Sequence, residues 1–152
     1  MRLIHEHSLW SHVLFNASKL AVDSILSGAI DVRDKAVLEI GGGSGVVSLA
    51  CFDKDARLVC CNDFPDEEIT ENIVYNFCQN FPCSTKLNER KFQVGGREFR
   101  ACPYYWGRSP FEPESFDVVI MCDVIQVIHA HKELQKEILA NLRKGGRLVV
   151  VY

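Results

Sequence analysis

Excess positive charge is absent from these 152 residues: 17 Lys and Arg stand against 20 Asp and Glu, a formal net charge of -3. A broad nucleic-acid footprint is therefore not expected. No apolar run approaches the roughly 20 residues that span a bilayer, so no membrane span is expected either. Met1-Arg2-Leu3-Ile4-His5-Glu6-His7 is too polar for a secretory signal. Cys-x-x-Cys pairs are missing, and the seven cysteines are odd in number and sit mostly in apolar runs. They read as small core hydrophobes of a reducing, cytoplasmic protein rather than as disulfides or a zinc site. The pairs His5/His7 and His129/His131 read as solvated side chains, and no metal is expected. Internal repeats and low-complexity segments are also lacking, which excludes a solenoid or a long linker. One domain over 1–152 is expected, with an N-terminal helical segment over 1–30 and a core over 31–152.

What is present is organised around Ala36-Val37-Leu38-Glu39-Ile40-Gly41-Gly42-Gly43-Ser44-Gly45. It reads as a buried strand running into a glycine-rich turn, with a helix from Val46. Gly41, Gly43 and Gly45 allow positive φ and close approach of a ligand. The helix start offers unpaired N–H groups and a positive dipole end. Glu39 disfavours a pyrophosphate, since like charges would meet, and suits a cationic amine or a ribose. A dinucleotide fingerprint would also need glycine where Val46 stands. The ligand expected is S-adenosylmethionine.

In chain order, residues 8–27 read as a helix with Ser8 as N-cap and a stripe that includes Val13, Ala17, Leu20 and Ala21. Its Trp10 or His12 is a candidate for lining a site. Arg57–Cys61 is a second strand, ending at Asn62-Asp63-Phe64-Pro65. Asp63 lies 22 positions after Gly41, where an acid at a strand tip accepts both ribose hydroxyls. Asp66-Glu67-Glu68 opens a helix to about Asn80, with acids at its positive end. Phe92–Val94 and Arg97–Phe99 form a hairpin around Gly95-Gly96, and the run to Gly107 is a third sheet strand. Tyr104 and Tyr105 alternate, one in and one out. Phe116–Cys122 is a further strand, ending at Asp123. His131–Lys144 is a helix with Leu134, Ile138, Leu139 and Leu142 on one face, and Arg147–Tyr152 is a last, buried strand. Strands alternating with helices predict an α/β fold with a largely parallel sheet. Gly41–Gly45, Asp63, Trp106 and Asp123 then share the carboxyl ends of its strands, where such sheets bind ligands.

These stretches resemble class I S-adenosylmethionine-dependent methyltransferases. Val37–Gly45 matches their motif Glu/Asp-x-Gly-x-Gly-x-Gly. More narrowly, Leu9–Ala17, Asn62–Asp66 with Glu71–Asn76, Trp106-Gly107-Arg108 and Asp123-Val124-Ile125 are similar to protein lysine methyltransferase family 16. Within it they are closest to the nicotinamide-N-methyltransferase-like branch, some of whose members methylate the N-terminal region of translation elongation factor 1-alpha. The resemblance implies a Rossmann-like sheet with helices on both faces. It implies that Glu39 and Gly41–Gly45 hold the methionine part of S-adenosyl-L-methionine, and that Asp63 binds the ribose. Trp106 stacks on adenine, Trp10 closes the pocket, and Phe64 and Cys122 flank the cofactor. Asp123 stands where the family has its acid beside the transferred methyl.

Two departures stand beside it. Family members carry an aromatic three residues after that acid, or Asn-His just beyond it, where this chain has Gln126-Val127-Ile128. The family also adds an antiparallel strand pair after the fifth strand, and the chain ends at Tyr152. An edge of bare backbone groups over Leu148–Val151 is therefore expected, to be covered by further residues or by a second copy. The function expected is N-methylation of a protein amine, with a translation factor as the leading substrate. The alternatives are a catalytically weak or inactive partner protein, a small-molecule (nicotinamide-like) N-methyltransferase, and a nicotinamide-dinucleotide oxidoreductase.

Overall fold

The computed structural model of the protein describes residues 1–3 and 13–152. Ser8, Leu9, Trp10, His12 and the pair His5/His7 lie outside the described residues. Helix α1 is Asn16–Leu26, shorter than the expected 8–27: Phe15 before it is extended (φ -69°, ψ 154°). Its buried stripe is Ala17, Ala21 and Ile25, while Leu20 is exposed. Then come β1 (Ala36–Ile40), α2 (Val46–Asp53), β2 (Leu58–Asp63) and α3 (Glu67–Asn80). Asp66 caps α3 as its acid run suggests, accepting from the Glu68 and Ile69 amides at 2.9 and 3.3 Å.

Strands β3 (Thr85–Asn88), β4 (Lys91–Val94), β5 (Arg97–Pro103) and β6 (Phe116–Cys122) follow, then α4 (His131–Asn141) and β7 (Leu142–Val151). The described strands form one sheet in the order β3-β4-β5-β2-β1-β6-β7. The run β5-β2-β1-β6-β7 is parallel, and β3 and β4 add an antiparallel edge. The hairpin strand expected at 97–99 and the sheet strand expected to 107 are one strand. β5 pairs antiparallel with β4 on one side and parallel with β2 on the other, and it ends at Pro103.

Every residue of β1 and β6 is buried, as parallel strands covered on both faces require. One face packs against α1 through Ala17, Ala21 and Ile25, and against α2 and α3 through a phenylalanine cluster. Phe77 stacks on Phe99 with centroids 4.1 Å apart and meets Phe52 edge-on at 5.1 Å. The other face packs against α4 through Leu134 and Ile138. The expected face of α4 needs one correction: Leu139 is 73% exposed, and the inward positions are Leu134, Glu137 and Asn141. The last strand is an edge among the described strands, as expected, but it is not buried: Leu148 is exposed and Val149–Val151 are half-buried, since no described strand lies beyond it. The helix before it is also shorter than expected: α4 ends at Asn141, Leu142 already pairs with Phe116, and Lys144-Gly145-Gly146 falls in an irregular stretch before Arg147 meets Val118.

At the amino ends of the central strands, buried Asp117 accepts the Ala36 amide at 2.7 Å and pairs with Arg57 at 3.1 Å and Arg143 at 2.5 Å. That cluster fixes β1, β2 and β7 to β6 at the end of the sheet away from the glycine turn. The core prediction falls on Phe77, fully buried between α3 and the sheet. Phe77→Ala should lower stability in urea unfolding by about 3–5 kcal/mol; a loss under about 1 kcal/mol would mean the cluster collapses into the gap.

Candidate functional site

At the end of β1 the chain turns sharply and is fastened to β2. The Gly41 and Gly42 amides both donate to the Asn62 carbonyl, at 3.0 and 2.9 Å, and the Gly45 amide donates to the Gly42 carbonyl at 2.8 Å. Gly41 has φ +74°, and a Cβ there would stand 2.4 Å from Val124 Cγ1. At Gly42 a Cβ would stand 2.4 Å from Cys61 Sγ. No L side chain fits either place without moving a neighbour.

Asp63, the last residue of β2, reaches across this turn. Its Oδ2 accepts the Gly43 amide at 2.6 Å and its Oδ1 accepts the Phe64 amide at 2.7 Å. A carboxylate has about four acceptor sites, two on each oxygen.

Glu39 sits behind the turn, only 2% exposed. Its Oε2 accepts the Ser48 amide at 2.9 Å, the Ser48 hydroxyl and, at 3.7 Å, the Cys61 thiol. It thereby ties β1 and β2 to the first turn of α2. Burial pushes its carboxyl from the ordinary 4.5 up to about 7, although the Ser48 and Cys61 hydrogen bonds oppose the rise. The charge that the sequence argument placed at the turn is therefore partly discharged near neutral pH.

Burial and the neighbouring Glu39 and Asp123 charges push the Cys122 thiol up to about 12, so it is a thiol rather than a thiolate. Asp123 follows β6 with φ +53°, a conformation uncommon for a residue with a side chain, and its amide donates to the Val151 carbonyl at 3.0 Å. It lines a cavity of about 430 Å³ together with Phe15, Asn16, Ala17, Leu20 and Tyr152.

Trp106 lies in a turn three residues beyond the end of β5, half-buried. Its indole N–H donates to Asn62 Oδ1 at 3.1 Å, and its Cζ2 lies 3.7 Å from where a Gly41 Cβ would be. Tyr104 is buried and Tyr105 exposed, the expected alternation. Phe64 and Tyr105, 42% and 51% exposed, meet edge to face at 5.0 Å on the rim, with Arg108 above Tyr105 at 5.7 Å.

The structure thus brings Gly41, Gly43, Gly45, Asp63, Phe64, Trp106, Cys122 and Asp123 to one edge of the sheet, with Glu39 underneath. Trp10 lies outside the described residues. Sequence reasoning missed Asn62, Ser48 and Glu137. A polar Asn62 at the close of the apolar run Leu58–Cys61, and an acid on the inner face of α4, were the available signals. Glu137 accepts the Tyr104 hydroxyl at 2.7 Å, the Asn141 amide at 2.6 Å and the Gly107 backbone amide at 2.9 Å.

This arrangement coincides with a family match. The model described as a methyltransferase domain covers residues 38–150. The chain belongs to that family. Among relatives of this methyltransferase domain is the protein N-terminal and lysine N-methyltransferase EFM7 of Kluyveromyces lactis, 29% identical, which covers all of this chain and 61% of its own length. The protein of the same name from Aspergillus fumigatus is 33% identical over 95% of this chain and 56% of its own. The chain thus spans about three fifths of the curated relatives it matches. Among solved structures, an S-adenosylmethionine-dependent methyltransferase from Mesorhizobium loti superposes with TM-score 0.62 at 14% identity, over 88% of this chain and 52% of that one. The [4+2]-cyclase SpnF superposes with TM-score 0.66 at 15% identity, over 88% and 44%. These likenesses bear out the expected α/β methyltransferase fold, and family membership agrees with S-adenosylmethionine as the cofactor.

Glu39 carries a pH dependence whose sign is determined. The folded protein holds a proton that the unfolded chain releases between pH 4.5 and about 7. The group's contribution to stability is full below 4.5 and is lost as pH rises to about 7, a fall of about 3 kcal/mol. Glu39→Gln should flatten urea-derived stability across that window; an unchanged slope would assign the titration to another group.

Proposed function

We propose that this domain binds S-adenosylmethionine across the carboxyl ends of β1, β2, β5 and β6 and methylates a protein amine, a lysine or an N-terminus. The observation that carries the proposal is the Asp63 carboxylate on the Gly43 amide. It joins the acid expected for a ribose to the turn expected for the methionine part as one preformed unit. The rest of the site suits such a ligand. Asp63 presents a carboxylate at the strand tip, Trp106 and Phe64 offer aromatic surface, and Gly41–Gly45 presents backbone with few side chains. Glu39 supports the turn from below.

Bound S-adenosylmethionine supplies a methyl group already activated on a sulfonium, so the protein's task is to bind, orient and deprotonate. The cavity combines Asp123 with apolar walls from Phe15, Ala17 and Leu20 and with Asn16 and Tyr152. That combination suits the aliphatic stem and amine of a lysine. The amine needs a free lone pair, and Asp123 is the group placed to orient it and accept its proton. The relatives' names support a protein substrate. A translation factor and a cytoplasmic location are proposed from the family resemblance; no described helix is long and apolar enough to cross a membrane.

Cell lysate treated with the protein and deuterated cofactor should show label on a protein amine by mass spectrometry. Label confined to small molecules would turn the proposal toward a nicotinamide-like substrate, and absence of transfer toward a partner protein acting by association. In calorimetry Asp63→Asn should weaken cofactor binding by roughly 1–3 kcal/mol. Asp123→Asn should lower kcat by about 10²–10⁴. Undiminished values would remove the corresponding assignment.

The β7 edge belongs to the same proposal. Leu148–Val151 is uncharged and mostly β-branched, no described strand lies beyond it, and we propose that a second copy covers it. Sedimentation of the 152-residue chain at micromolar concentration should show a dimer or larger species; a clean monomer would overturn the second copy.

A further inference from the structure

We infer that Asn62 is the positioning residue that sets Trp106 against the glycine turn, and so determines cofactor affinity. The inference rests on the proposed cofactor site, in which Trp106 packs on the adenine.

Asn62 is fully buried, and its backbone and side chain serve two different parts of the site. Its carbonyl oxygen accepts both the Gly41 and Gly42 amides. Its side-chain Nδ2 donates to three carbonyl oxygens, those of Asp63 at 3.2 Å, Cys102 at 3.0 Å and Tyr104 at 3.0 Å. Its Oδ1 accepts the Trp106 indole N–H at 3.1 Å. The amide has only one workable orientation. Turned over, its oxygen would face three carbonyl oxygens and its NH₂ would face an N–H donor. Aspartate at 62 would meet the same carbonyls with negative charge. Leucine would leave the indole N–H and these acceptors without this partner, which a buried polar group tolerates poorly.

The second anchor lies just past the tryptophan. The Gly107 amide donates to Glu137 Oε2, and the Tyr104 hydroxyl and Asn141 amide occupy Glu137 Oε1. Trp106 is therefore held at its ring by β2 and at its following peptide by α4, although it sits in a loop. A ring fixed before binding spares the ordering cost that a free indole would add on association.

The test uses the two-tryptophan chain with its indoles ¹⁵N-labelled. Trp106→Phe identifies the Trp106 N–H signal by its disappearance. In Asn62→Ser that signal should move and lose its protection from solvent exchange. Calorimetry should show S-adenosylmethionine affinity falling roughly tenfold, while kcat at saturating cofactor stays within about twofold. Trp106→Phe keeps an aromatic ring, smaller than the indole, but lacks the donor, and should lose affinity at least as much. The double variant should lose little more than either single one. Should Asn62→Ser fail to fold, Trp106→Phe alone decides, since full affinity in that variant overturns the inference. An indole signal unchanged in Asn62→Ser, a signal that moves with no change in affinity, or losses that add would each overturn it as well. Failure of the unmodified chain to bind S-adenosylmethionine at all would instead remove the proposed cofactor site on which the inference rests.

Discussion

A single carbonyl oxygen, that of Asn62, receives the first two amides of the glycine turn, and the neighbouring Asp63 carboxylate receives the third glycine's amide. The turn that ends β1 is thus built on the end of β2 rather than standing alone. Much else at that edge depends on this fastening. It leaves no room for a side chain at Gly41 or Gly42, because Val124 and Cys61 already occupy the space. It also leaves the α2 N-terminus beside buried Glu39, whose carboxylate takes the Ser48 amide in place of water.

The two ends of the sheet handle buried carboxylates in different ways. At the amino ends Asp117 meets two arginines, a structural solution that compensates charge with charge. At the carboxyl ends Glu39 and Glu137 are buried among neutral donors: amides, hydroxyls and, for Glu39, a thiol. Neutral donors hold geometry without neutralising charge, so the cost of burial shows as the raised Glu39 pKa. Positive φ at residues with side chains occurs at both ends: Asp34, Asp55 and Glu114 precede β1, β2 and β6 at the amino ends, and Asp123 follows β6 at the end that carries the proposed chemistry.

Fold likeness alone does not decide the reaction. A cyclase superposes on this chain as closely as a methyltransferase does. The functional proposal therefore stands on particular residues: Asp63 with its oxygens on the Gly43 and Phe64 amides, the half-buried indole of Trp106, and Asp123 in the lining of a largely apolar cavity.

Much of this was legible in the sequence because it is local. The apolar runs 36–40 and 116–122, the glycines after the first, Asp63 at the tip of the second strand, and the acid-capped helix from Glu67 all follow from periodicity and short-range chemistry. Other features depend on residues distant in sequence. That 97–103 is one strand shared by a hairpin and the parallel sheet was decided by pairing with both β4 and β2. That Leu139 faces outward while Glu137 and Asn141 face inward was decided by Tyr104 and the Gly107 amide, about 30 residues away. The sequence by itself determined the α/β class, the strand-turn-helix and the acids at the strand ends, because backbone conformation and hydrophobic periodicity are written in neighbouring residues. Only the tertiary structure decided that Glu39 lies under the turn rather than in it, that Asn62 joins the turn to Trp106, and that the last strand begins at Leu142 by pairing with Phe116. Each of these depends on which buried donor meets which acceptor once separate strands lie side by side.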